Sequence, residues 1–301
     1  MNSIKGKVAW YNIQKPAAGD FSWMKKNFKF HPLIMDELKV PSARAKVEAH
    51  GDYLYLVYYF PIYDRKEKVS RRSEIDFLIT KKAVITITYE EIEVLNDLLS
   101  SINPKNRAFD NSLQLIHKII ESLLSFQQRQ LAHIREKIDE ISNELFSDRE
   151  KQRERALLEK ISYLTRDISQ YRVIVRPQKH ILESFCNVGG GLLGPECTIY
   201  FNDLVGEHLK IIDQLDDYKQ AIDDFENTNS ELINIKSGQV VKTFTILAFL
   251  TFPMMLFATV FSMNAKDTPI VGLPGDFWII VAIMLVGMIG MFAYFRNKDW
   301  I

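Results

Sequence analysis

Two long apolar runs close the chain, Val240 to Phe261 (VVKTFTILAFLTFPMMLFATVF) and Phe277 to Phe295 (FWIIVAIMLVGMIGMFAYF). As helices rising about 1.5 Å per residue they extend about 33 and about 28 Å, and a bilayer's hydrocarbon core is about 30 Å thick. Lys242 sits at the edge of the first, and the second carries no charge, with Trp278 and Tyr294 near interfacial depth. Lys236 and Lys242 precede the pair and Arg296 and Lys298 follow it, whereas the joining loop has Lys266 against Asp267 and Asp276. Flanking cations favour the inner side, so both termini are expected in the cytoplasm of a cell (inner) membrane protein, with the loop outside.

A pair of spans can be a plain anchor. Three features argue for more. Pro253 removes a backbone hydrogen bond in mid-span, and Thr245, Thr251 and Thr259 place hydroxyls at membrane depth. A seven-residue repeat gives one face with Val241, Ala248, Phe252, Met255, Thr259 and Ser262, flanked by Phe244 and Thr245, apolar inside and polar toward the outer end. Such a stripe suits a pore with a hydrophobic constriction, and it equally suits a seam against another helix. One hairpin cannot enclose a channel, so a pore requires several copies around a symmetry axis.

The rest of the 301 residues allows one or two soluble domains, and 38 basic against 38 acidic side chains give no hint of nucleic acid. Met1 to Lys7 opens no apolar stretch, so no cleaved signal is expected and the N-terminal part is placed in the cytoplasm. There Cys186 and Cys197 are expected as reduced structural thiols. The His residues are scattered, and neither they nor the cysteines offer metal-ligand spacing.

Residues 1–110 are expected to form a mixed α/β domain. Strand-like stretches are Lys7 to Ile13, Asp52 to Phe60, Ile75 to Ile79 and Ala83 to Tyr89, with a short helix over Pro32 to Leu38 and a turn at Thr80-Lys81-Lys82. The basic run Lys66 to Arg72 reads as a solvated loop. Residues 111–200 turn helical, with apolar spacing over Ser112 to Phe146 and Arg153 to Ile174 predicting long antiparallel helices. Gly189-Gly190-Gly191 with Gly194-Pro195 marks a loop; it lacks the Lys-Ser/Thr and the preceding strand of a phosphate-binding loop. No nucleophile, base and orienting acid emerge at plausible spacing, so an enzyme is not expected.

Residues 201–239 read as a stalk helix. Leu204, His208, Ile211, Leu215, Tyr218, Ile222, Phe225, Asn229 and Leu232 alternate steps of four and three, the spacing of a helix supercoiled against partners. His208 and Asn229 read there as register-setting or satisfied polar residues. Continued into the first span, 240–261, the stalk would make a rod of roughly 90 Å. The loop 262–276, the second span 277–295 and a tail 296–301 complete the division.

Several short motifs together carry a resemblance. His31-Pro32-Leu33 with Asp36 and Glu37, Arg44-Ala45-Lys46-Val47-Glu48 before Gly51-Asp52-Tyr53-Leu54, Tyr200-Phe201-Asn202-Asp203, Lys242 with Phe244-Thr245, Pro253, and Met263-Asn264 stand in the order and spacing of the CorA family of divalent-cation channels. The chain resembles that family over essentially its full length. The resemblance implies a homopentamer in the lipid bilayer, with a funnel-shaped cytoplasmic domain and stalk helices continuous with the pore-lining span. It further implies passive influx of Mg2+, with Co2+ and Ni2+ as other ions. Asn264, with Ser262 and Met263, would then form the selectivity filter, its side-chain carbonyl facing the hydrated ion. Ser262 stands where the family has Gly, so the turn loses the freedom of positive φ and gains a hydroxyl. Gly238 stands where an Asn is common, and Phe252 and Met255 where methionine and threonine are, so a hydrophobic gate at Phe244, Phe252 and Met255 is expected. The resemblance also implies sensing of intracellular Mg2+ at Asp36 or Glu37 with Asp203 of a neighbouring subunit, against which stands Asp203 as an N-cap of the stalk. The altered signature keeps open a Zn2+ or other transition-metal transporter of the same fold, an exporter included, and a non-transporting scaffold is the remaining alternative.

Overall fold

The computed structural model describes residues 2–4, 6–102, 109–146, 152–263, 269–298 and 300, with side chains of the fifth helix from residue 155 onward. It falls into two compact units, Met1–Glu226 and Asn227–Ile301.

The first unit is built on six strands: β1 (Asn2–Ile4), β2 (Ala9–Gln14), β3 (Lys46–His50), β4 (Tyr53–Asp64), β5 (Val69–Thr80) and β6 (Ala83–Thr88). They lie in the order β1-β2-β6-β5-β4-β3, every pairing antiparallel except β2 with β6. Strands β4 and β5 pair along their whole length, from Tyr53 opposite Thr80 to Asp64 opposite Val69. The near-continuous apolar run of β4 is that of a strand covered on both faces, because successive side chains point to opposite sides. Two short helices, α1 (Ala18–Asn27) and α2 (Pro32–Glu37), bring Met24, Ile34, Met35 and Leu38 into a core with Tyr53, Tyr55, Val57, Leu78, Ile85 and Ile87. Further helices complete the unit: α3 (Glu93–Ser101), α4 (Ser112–Leu145), α5 (Gln152–Val175), α6 (Gln178–Leu193) and the start of α7 (Cys197–Ser262). Phe126 of α4 meets Phe60 at 5.8 Å, Asp167 of α5 accepts the Ser70 amide at 2.6 Å, and Gln178 of α6 accepts that of Tyr59.

The expected mixed α/β class and the long helices are present, while β1, α1, β3 and α3 are short elements the sequence pattern did not single out. Four expectations are corrected. Of the basic run, Val69 to Arg72 belongs to β5, because pairing with β4 continues through it. The glycine run lies inside α6 rather than in a loop: a Cβ at Gly189 would come within 2.5 Å of Leu54 Cδ1, so glycine is there for close helix-to-sheet approach. Only Gly194, at φ 90°, ends the helix in a conformation that favours glycine. Cys186 and Cys197 are joined in a disulfide, their Cα atoms 5.6 Å apart, because the turn after Gly194 folds the start of α7 back along α6. In a reducing compartment the same juxtaposition holds two thiols. Finally, Leu204, His208, Ile211 and Leu215 of the stalk seam are buried against helices of their own chain: Phe201 stacks on Phe185 at 4.0 Å, and His208 Nε2 donates to the Val175 carbonyl at 3.1 Å. Burial lowers the His208 pKa to about 4, so its ring is neutral, with Nε2 bonded to that carbonyl and Nδ1 buried without a partner.

The second unit contains the remainder of α7 and a last helix, α8 (Asp276–Asn297). Pro253 lies inside α7 without ending it. The Asp276 carboxylate accepts the amides of Gly272 and Phe277 at the start of α8.

Candidate functional site

In the second unit α8 lies along one side of α7. A Cβ on Gly287 would touch Met254 Cε at 3.4 Å, Phe295 meets Phe249 at 6.3 Å, and Ile246 is buried. The covered side of α7 thus includes Ile246 and Met254. The sevenfold stripe lies elsewhere. Thr245, Ala248, Phe252, Met255 and Thr259 line one open groove together with Phe249, Pro253 and Leu256, and Phe252 and Met255 are 64% and 65% exposed. Val241 and Phe244, nearer the stalk, are equally bare. The α8 helix of the same chain therefore does not use this stripe as its seam.

The hydroxyls on this helix share one arrangement. Thr245 Oγ1 donates to the Val241 carbonyl at 2.8 Å, Thr259 Oγ1 to Met255 at 2.7 Å, and Ser262 Oγ to Thr259 at 2.8 Å. Each proton is spent within the helix, so the oxygens face outward as acceptors. Acceptors suit a cation and the water bound to it. Ser262 is the last residue of α7 and does not take positive φ, so the replacement of glycine here costs no backbone strain. Met263 follows, exposed, and Gly238 lies in helical backbone with open space around it. Asn264 lies outside the described residues.

The three acids implied in regulation all belong to the first unit and are separately engaged. Asp36 pairs with Lys39 at 2.7 Å and Glu37 with Lys46 at 2.7 Å. Lys39 also holds the Asp36 carboxyl below its ordinary range. Asp203 lies 3.3 Å from His117 Nε2 and its side chain is exposed. Since α7 begins at Cys197, Asp203 is inside the helix and does not cap it. Among the described residues no cluster of three or more His, Cys, Asp or Glu is placed to hold a metal within one chain. Sequence reasoning missed one charged feature altogether, the buried pair Glu74 and Asp76. Its signal was two acids at alternate positions where strand β5 turns apolar, around Ile75 and before Phe77 to Ile79.

The mixed α/β unit leads into α7, whose C-terminal part, like α8, is long and apolar enough to cross a membrane, the layout of a two-span membrane protein. The CorA-like Mg2+ transporter family matches residues 5–297, and the chain belongs to that family. It is 22% identical to the cobalt/magnesium transport protein CorA of Thermotoga maritima over 91% of this chain and 78% of that one. Against the protein of the same name from Methanocaldococcus jannaschii it is 23% identical over 89% of this chain and 82% of the other. The complete structure of the CorA magnesium transporter from Methanocaldococcus jannaschii superposes with a TM-score of 0.83 at 19% identity, covering 98% of this chain and 92% of that chain.

Proposed function

We propose that several copies of this chain, five by family resemblance, form a passive channel through which hydrated Mg2+ enters the cell, Co2+ and Ni2+ being other ions of the right chemistry. The observation that supports it best is the bare stripe. An anchor would have no reason to leave Thr245, Ala248, Phe252, Met255 and Thr259 on one uncovered face while a second helix packs elsewhere. Around an axis, these side chains would line a conduit with outward-turned hydroxyl oxygens and a constriction at Phe244, Phe252 and Met255. Both termini would face the cytoplasm. A potential of about 100 mV, negative inside, is worth ~4.6 kcal/mol for a divalent ion, so uptake needs no ATP.

At the outer mouth we assign the filter to Ser262, Met263 and Asn264. Magnesium gives up its water reluctantly, and neutral carbonyls can hold the hydrated ion without that cost. Flux of Mg2+, Co2+, Ni2+ and Zn2+ into vesicles reconstituted with the full chain tests this. Asn264→Ala is expected to lower Mg2+ entry by about tenfold or more, the equivalent of ~1.4 kcal/mol, and Ser262→Gly to change the order of preference among the ions. Undiminished Mg2+ flux through Asn264→Ala would remove the filter assignment. Preferential Zn2+ flux, or flux outward only, would favour the transition-metal reading that Ser262 keeps open, and absence of any flux would favour a scaffold.

For closure we assign Asp36 or Glu37 of one subunit and Asp203 of the next to a bridging divalent ion that offsets their repulsion and holds neighbours together. Asp203 is exposed, with His117 Nε2 3.3 Å away, and its carboxylate is within reach of a second chain. Asp203→Lys is expected to raise the internal Mg2+ concentration that halves the flux by about tenfold, ~1.4 kcal/mol of coupling. An unchanged inhibition curve would end this assignment.

A further inference from the structure

Glu74 and Asp76 lie two residues apart on β5, so their side chains emerge on the same face, and they are 5% and 0% exposed. Side by side and out of water, two carboxylates repel each other unless one of them holds a proton. Burial raises the Glu74 pKa, and burial together with the charge of Glu74 drives that of Asp76 well up.

The pair is tied to the segment that follows α2. Both Glu74 oxygens accept the Ser42 amide at 2.8 Å, and the Tyr59 hydroxyl donates to the Ser42 carbonyl at 3.1 Å. Asp76 Oδ1 lies 3.3 Å from the Tyr55 hydroxyl, and Oδ2 lies 2.8 Å from that of Tyr89. The Tyr89 hydroxyl is also 3.3 Å from the Leu38 carbonyl and 3.2 Å from that of Val40. The cations nearby rest on rings: Arg72 lies over Tyr59 at 4.4 Å, and Lys46 over Tyr55 at 5.0 Å. Lys46 is itself held by Glu37 of α2 and Glu48 of β3.

Tyr89 has one hydroxyl proton and three acceptors within reach, so the proton count on Asp76 decides where it goes. With Asp76 protonated, the acid donates to the Tyr89 oxygen and the phenol proton turns to the carbonyl of Leu38 or Val40. When that acid proton leaves to solvent, Tyr89 donates to the carboxylate, the two backbone carbonyls lose their donor, and two buried negative charges face each other. We propose that Glu74, Asp76 and Tyr89 form a proton-operated latch on residues 38–42, shut when the pair holds a proton and released when it is lost. Release frees the C-terminal end of α2, the helix that carries Asp36 and Glu37. The latch thereby couples internal pH to the metal-sensing acids; this reach rests on the closure assignment above, and the latch itself does not.

Because the pair's pKa values are raised on folding, the stability it contributes is present at low pH and is lost as pH rises through them. Hydrogen exchange of the full chain in micelles, corrected for the intrinsic pH dependence of exchange, tests the latch at residues 38–42. In the parent, opening there is expected to rise with pH by up to about tenfold per unit, the limit for one linked proton. Asp76→Asn, whose amide can donate to Tyr89 at every pH, is expected to stay protected and flat, and Tyr89→Phe to be open and flat. A parent without the slope, or Asp76→Asn with the parent's slope, overturns the latch. Flux on the same proteins separates the two claims. If exchange behaves as expected while the closing Mg2+ concentration ignores pH, the latch stands and the assignment of the α2 acids falls.

Discussion

Phe252→Ser is expected to keep Mg2+ entering at internal concentrations that shut the parent, by about tenfold or more, since ~1.4 kcal/mol taken from a dewetting barrier is already that factor. The argument follows from where Phe252 lies. It sits in the groove, 64% exposed, on the side of α7 that α8 leaves bare, so its ring contributes little to packing within the chain. Removing it should therefore leave the hairpin folded. A ring of phenyl groups around an axis repels water when narrow, and a serine hydroxyl in its place gives water a partner. The control is Ile246→Ser, which strikes the covered side. That change should lower the yield of folded protein instead of altering gating. Tight closure of the Phe252→Ser channel, measured as Mg2+ uptake at high internal Mg2+, would place the gate elsewhere.

Two neighbouring glycines should respond to substitution with opposite signs. At Gly189 any added side chain runs into Leu54, itself buried, so Gly189→Leu is expected to destabilise the first unit by about 3 kcal/mol, at the upper end of overpacking costs. For a unit of this size that lowers the melting temperature by about 6 to 12 °C. Gly190 has open space around its Cα, and in helical backbone Gly190→Ala should stabilise by about 0.5 to 1 kcal/mol. Thermal unfolding of the full chain reads both. Equal and small effects at the two positions would mean that α6 does not approach β4 as closely as the structure has it.

These glycines also show where the sequence stops being legible. Three in a row are the commonest sign of a loop, and nothing within residues 189–191 says that one of them faces a leucine more than a hundred positions earlier. The same holds for Cys186 and Cys197, which look unrelated until a turn at Gly194 brings them together. The apolar terminal runs, the stripe on the first, and the long helices α4 and α5 were legible because their periodicity is local and strong. Short elements such as α1 and β3 were not, since their few residues owe their shape to the sheet they complete. The stripe itself could be seen but not interpreted. Only the placement of α8 against Met254 separated it from an intrachain seam.

The parallel pairing of β2 with β6 has a consequence for how the molecule is made. From β3 to β6 each strand pairs with its neighbour in sequence, so this meander can zip up by short loops alone. Strand β2, paired with β1 on one edge, must instead wait for β6, some seventy residues later in synthesis, before its other edge has a partner. The sheet is thus finished from its middle outward, with β1 and β2 added last. Its final strand, ending at Thr88, is translated long before the first apolar span at residue 240, so the ribosome presents a soluble unit already able to fold when the membrane segments begin to emerge.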